Sequence, residues 1–277
     1  MSSSETIGRA QAAAGNKRRN ARRGVSPRLL TTAITVAAVL LLWYFAAERQ
    51  WVSPVFLPPP SKVIASAWSL MTRGYVDATI FQHAWASLGR VFGALVVSVV
   101  VAVPVGLAIA TSPIGRGILD PLIEFIRPLP PLAYLPLIII WFGIGEPSKI
   151  LVITLAMLAP IAISTVSGIR SASANQINAA RSLGASRLQV LTAVLLPAAL
   201  PSMLTGVRIA LGAGWSTLVA AELVAASRGL GVMIQSAAQF LVTDVVIVGI
   251  FVISALAFAF EALLRLVERL FVPWSGR

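Results

Sequence analysis

The chain has 277 residues, 57% of them hydrophobic and only 12% charged, with a formal net charge of +12. A soluble domain carries roughly 25% charged residues, so this composition excludes a soluble globular enzyme. The lack of cysteine excludes disulfides, thiolate metal sites and thiol catalysis, and the lone His83 cannot build a His-rich metal centre.

Residues 1–28 carry Arg9, Lys17, Arg18, Arg19, Arg22, Arg23 and Arg28 against Glu5 alone. This reads as a disordered, basic cytoplasmic tail, able to contact anionic headgroups. The remainder, 29–277, reads as one transmembrane domain. Leu29 to Ala47 is an apolar run long enough to cross about 30 Å of hydrocarbon, which favours a first span over a cleaved signal peptide. It ends on Trp43 and Tyr44, which suit the interface. In "WVSPVFLPPPSKV", Pro58, Pro59 and Pro60 stop any helix, so an extended external segment follows. Lys62 to Arg73 forms an amphipathic pattern with Val63, Ala67, Trp68 and Met71 on one side, placed along the outer interface.

The second span is expected over about Ala84 to Ala110, with Pro104 and Gly106 as kink points. The third, about Leu119 to Phe142, contains "RPLPPLAYLP". Four prolines in that stretch require a broken helix, and broken backbone at membrane depth survives only in protein or against a cavity. This segment is therefore placed by the pathway. Asp120, Glu124 and Arg127 at its start share a helical face. They form either a local ion pair near the inner interface or functional charge in the pathway, where Arg127 offers a guanidinium to an anion.

"GIGEPSK" is an external turn, and Ile150 to Gly168 the fourth span. Residues 171–197 form a cytoplasmic loop. The fifth span is about Leu200 to Ala221. Near its outer end Trp215, Ser216 and Glu222 share a helix, and Glu222 meets either a substrate amine or a neighbouring loop. Gly206, Gly212 and Gly214 permit close helix approach. "SRGLG", Ser227 to Gly231, is a tight external turn, with contact to a binding protein as the alternative. Val245 to Leu264 is the sixth span. Arg116, Arg170, Arg181 and Arg187 fall in short inner segments, against Lys149 and Arg228 outside, so six spans with both termini cytoplasmic satisfy the positive-inside rule.

The loop "NAARSLGASRLQVLTAVLLP" has two arginines, no acid and a central Gly184. "ANQINAARSL" has Ala-rich helix propensity, and Gly184 suits a C-terminal cap. Ser186 with Gln189 makes a capping box that opens a second helix. The pattern is a compact helix–turn–helix docking element for a cytoplasmic partner.

Asn178-Ala179-Ala180, then Gly184, then Val194-x-Leu196-Pro197 resembles the coupling-loop signature of ABC importer permease subunits. Asn178 stands where that family has Glu, and Val194 where it has Ile. "ILDPLIEFIRPLPPLAYLPLIIIWFGIGEPSKI", "GVRIALGAGWSTLVAAELVAASRGLG" and "WVSPVFLPPP" extend the resemblance over residues 29–275, to the nitrate/sulfonate/taurine branch. The resemblance implies an all-α permease in which two copies form a pathway, two ATP-binding subunits dock on the coupling loop, and an external binding protein delivers the substrate. It implies alternating access, with taurine or a similar small sulfonate as substrate, or nitrate, an alkanesulfonate or a pyrimidine precursor on the same scaffold.

No G-x-x-x-x-G-K-[ST] occurs, so ATP and Mg belong to a separate ATPase chain. An ion-coupled secondary transporter would need internal repeats and coupling-ion sites, neither of which is visible. A membrane enzyme would need a convergent catalytic constellation, also absent from the sequence.

Overall fold

A computed structural model describes residues 27–272. Most of the basic segment expected over 1–28 lies outside the described residues. The chain divides into two units, residues 1–60 and 61–277.

In the first unit, α1 (Pro27–Glu48) is apolar all the way round, the pattern of a helix surrounded by hydrocarbon. Trp43 Nε1 donates to the Pro58 carbonyl at 3.1 Å, which folds the proline-rich segment back on the end of α1.

α2 (Pro60–Thr72) is the short helix expected from Lys62, but Pro60, expected to stop a helix, opens it. It buries Val63 and Leu70, while Trp68 and Met71 of the expected apolar side stay exposed. Ser66 donates to Asp244 in the first turn of α11 (Thr243–Phe271), and Lys62 Nζ lies 3.5 Å from the same carboxylate. An acid there also complements the helix N-terminus. α3 (Ile80–Thr111) opens on a capping box, Thr79 with Gln82, and runs through Pro104. Ser112 ends α3 and caps α4 (Pro113–Ile126), whose Pro113 at N1 costs no hydrogen bond.

The expected third span is not one helix. α4 stops at Ile126; a 3-10 turn over Pro131–Ala133 follows, then α5 (Leu135–Phe142). Pro128, Pro130 and Pro131 lack the N–H groups a continuous ladder needs. As a result, five helices among the described residues are long and apolar enough to cross a membrane, against six expected spans.

α6 (Glu146–Arg170) is central and packs most extensively on α3 and on α9 (Leu196–Ala225). Val91, Ala94, Ala102 and Ile109 of α3, Ile153, Met157 and Ile161 of α6, and Leu211 and Leu218 of α9 form the core. A Cβ at Gly206 would sit 2.4 Å from Ser164 Cβ, and one at Gly214 1.9 Å from Met157 Cε, so both glycines admit α6 closely. Gly212 faces open space, which corrects its expected packing role.

α7 (Ala174–Ser182) and α8 (Arg187–Val190) lie between α6 and α9. A π-helical turn, Leu191–Leu195, joins α8 to α9. α10 (Leu230–Gln239) was not anticipated; the apolar stretch after the 227–231 turn carries no local N-terminal cap.

Candidate functional site

The loop element is built from local rules. Ser173 accepts from the Gln176 N–H (3.3 Å) while Gln176 Oε1 accepts from the Ser173 N–H (3.1 Å), closing a box at the start of α7. Ser186 and Gln189 repeat this for α8 at 3.3 and 2.7 Å. Between them Gly184 has φ +83°. Its N–H donates to Arg181 O (2.9 Å), and the Ala185 N–H donates to Ala180 O (3.0 Å). These two bonds make the Schellman closure that ends a helix. A Cβ at Gly184 would meet nothing within 4 Å beyond its chain neighbours, so within this chain the glycine is required by conformation and not by packing. Asn178 and Ala179 are exposed; Ala180, Leu196 and Pro197 are half-buried, with Pro197 in the first turn of α9. Leu183 and Leu188 project into solvent, 89% and 67% exposed. Arg181 precedes Leu183 and Arg187 precedes Leu188, and residues 171–197 contain no acid.

Away from the loop, the second unit holds a groove. A cavity of about 490 Å³ lies between the α4–α5 break, α6 and α9, lined by Arg127, Tyr134, Ser164, Ser216 and Thr217 among apolar neighbours. A second, of about 560 Å³, lies nearer the loop and is lined by Asp120, Glu124, Arg127, Ser167 and Arg170. Arg127 and Ile163 line both, so the two adjoin. The broken α4–α5 segment thus borders a cavity, the placement expected for the proline-rich stretch. Asp120, Glu124 and Arg127 make no ion pair with one another among the described residues.

Trp215 and Glu222 do not line either cavity. Trp215 is buried and packs edge-on against Phe260 of α11, ring centroids 6.1 Å apart. Glu222 is fully buried and sits in a polar cluster at the end of the helices opposite the loop. Its Oε1 accepts from Ser87 Oγ (2.7 Å) and Arg90 Nη1 (2.5 Å), and its Oε2 from the Gly231 N–H (2.7 Å). Arg90 also makes a bidentate pair with Glu146 (2.7 and 2.8 Å) and donates to the Arg228 carbonyl (2.8 Å). Lys149 Nζ completes the cluster on Glu146 at 2.8 Å. Two cations thus face two carboxylates, and the buried charge is compensated.

Residues 228–231 are held by this cluster residue by residue. Arg90 takes the Arg228 carbonyl, His83 Nδ1 accepts from the Gly229 N–H (3.1 Å), Ser87 accepts from Leu230 (2.9 Å), and Glu222 accepts from Gly231. The orphan N–H groups at the start of α10 are capped by side chains of α3 and α9 instead of by a local residue. His83 Nε2 lies 2.8 Å from the Tyr75 carbonyl, so the ring is the neutral Nε2–H tautomer. Gly229, at φ +149°, leaves no room for a side chain, since a Cβ would lie 2.4 Å from the Glu222 carboxyl carbon.

Sequence reasoning passed over Arg90 and Glu146. The available signal was the polar stripe His83, Ser87, Arg90 at helical spacing on an otherwise apolar span. It also passed over Arg208 of α9, which pairs with Glu261 (3.1 Å) and Glu268 (2.5 Å) of α11.

Residues 102–272 match the family described as "Binding-protein-dependent transport system inner membrane component". The chain is 56% identical over 243 residues to the taurine transport system permease protein TauC of Escherichia coli (strain K12), covering 87% of this chain and 88% of that one. It is 36% identical over 237 residues to the putative aliphatic sulfonates transport permease protein SsuC of the same organism, covering 86% and 89%. Among solved structures, the inward-facing MetNI methionine ABC transporter has a similar fold, with TM-score 0.55 and 23% identity, covering 66% of this chain and 93% of that one.

Proposed function

We propose, on the premise that the chain belongs to the binding-protein-dependent inner membrane components and to their taurine/sulfonate/nitrate branch, that it imports taurine or a similar small sulfonate. The chain is a multi-pass transport permease of the inner membrane, not an enzyme. The observation that carries the substrate is the 56% identity to the taurine permease across nearly the whole of both chains.

In this reading residues 171–197 lie in the cytoplasm with both termini. The exposed Leu183 and Leu188, interleaved with Arg181 and Arg187, are the contact for an ATP-binding subunit. That subunit holds ATP and Mg. Two permease copies face each other, and an external binding protein loads the substrate. The two adjoining cavities form this copy's wall of the pathway, and Arg127, which lines both, offers a guanidinium to the sulfonate. Alternating access exposes that wall first outward, then inward. An alkanesulfonate is the second reading, supported by the 36% identity to the aliphatic sulfonate permease.

The test is reconstitution with the cognate ATPase and binding protein in proteoliposomes. ATP-dependent accumulation of radiolabelled taurine is expected. Accumulation of nitrate or an alkanesulfonate instead, with taurine excluded, overturns the substrate assignment.

A further inference from the structure

We infer that Asp120 and Glu124 recognise the ammonium group of a zwitterionic substrate whose sulfonate is held by Arg127, so that this pair of carboxylates selects aminosulfonates over simple anions. The inference rests on the proposed function and deepens it.

Three observations carry it. The first is the order of charge along the groove. The cavity farther from the loop has Arg127 as its only charged lining residue, whereas the cavity nearer the loop adds Asp120, Glu124 and Arg170. An anion moving from the first to the second would pass from one guanidinium into a space shared with two carboxylates. A molecule with an ammonium at its other end meets opposite charge at both stations.

The second observation is that these charges are unspent. Several other helix-borne charges are paired: Arg90 with Glu222 and Glu146, Arg208 with Glu261 and Glu268, Lys62 with Asp244. Among the described residues Asp120, Glu124 and Arg127 have no ion-pair partner, although they share one cavity. Glu124 and Arg127 are exposed and Asp120 half-buried, so a molecule entering the cavity they line can reach all three.

The third is spacing. Asp120 and Glu124 are one turn apart on α4, and Arg127 follows Glu124 by three residues, about 4.5 Å of helix rise. That suits a molecule with two charged ends joined by a short linker. The other acid available for an amine, Glu222, is excluded by its burial and by three hydrogen bonds already made to its oxygens.

The experiment is a ligand-observed NMR titration of the purified permease–ATPase complex without binding protein, using taurine and ethanesulfonate, which lacks the amine. Wild type is expected to bind taurine more tightly. Asp120→Asn and Glu124→Gln should each raise the taurine Kd about tenfold, the loss of one charge-assisted hydrogen bond, and leave ethanesulfonate equal or tighter. Arg127→Gln should weaken both compounds. Unchanged taurine binding in both acid variants, or equal loss for both compounds, overturns the proposal. Retention of the ATPase on each variant separates these results from misfolding. A wild-type complex that binds neither compound overturns the aminosulfonate reading itself, and this proposal with it.

Discussion

Arg90 Nη1 lies 2.5 Å from Glu222 Oε1, with the two side chains 5% and 0% exposed and 132 residues apart in the chain. The same guanidinium holds Glu146 at the start of α6 and the Arg228 carbonyl before α10. One side chain therefore ties four parts of the fold at the end opposite the loop.

Replacing Arg90 by Leu should be strongly destabilising. It strands Glu222 as a buried, unpaired charge, at a cost of about 3–5 kcal/mol. Replacing Arg90 and Glu222 together by Leu should recover part of that loss, because no charge is then stranded. Thermal unfolding of detergent-purified protein measures both. An Arg90→Leu protein as stable as wild type would show that the cluster contributes nothing.

Gly184→Val should strip the ATPase from the membrane complex, or uncouple ATP hydrolysis from uptake. The left-handed φ of +83° disfavours a β-branched residue. Gly184→Asn should be milder, since Asn tolerates that region. Neither should disturb the helices, as a Cβ at this position would meet nothing within 4 Å beyond its own chain neighbours. Co-purification of the ATPase, followed by an uptake assay, decides it; normal retention with normal uptake in the Val variant refutes the coupling role.

Leu183→Asp and Leu188→Asp should each weaken ATPase retention while leaving thermal stability within about 0.5 kcal/mol of wild type, as expected for exposed positions. Loss of stability without loss of retention would place these residues in the protein's own packing.

Cysteines introduced at Ser186 and Ser227 should label from opposite faces of the membrane. Both positions are exposed, and the chain has no native cysteine to interfere. Labelling of both from outside contradicts the proposed topology.

The purified importer should contain two permease copies per two ATPase subunits, because in the proposed reading the groove of one copy walls the pathway on one side only. Native mass measurement gives the ratio. One copy, without a second kind of permease chain, contradicts the homodimer.

Much of this fold is legible in the sequence because its rules are local. Hydrophobic length marks α1, α3, α6, α9 and α11. The prolines from 128 to 136 announce the α4–α5 break. The Ser186–Gln189 box and Gly184 specify the loop within a dozen residues, since caps and left-handed turns depend on near neighbours. The family signature is legible for the same reason.

Tertiary structure decided the rest. Whether Glu222 faces a pathway or a loop depends on how α3, α6 and α9 dock, and no periodicity within α9 encodes the position of Arg90. The start of α10 is capped by His83, Ser87 and Glu222 from other helices, so the sequence around Leu230 carries no capping signal of its own. Asp120, Glu124 and Arg127 share a helical face that is readable in advance, but that they open on a cavity without pairing is settled only by packing. Charge in a membrane protein must be compensated or used, and which of the two applies is a property of the neighbours that the fold brings together.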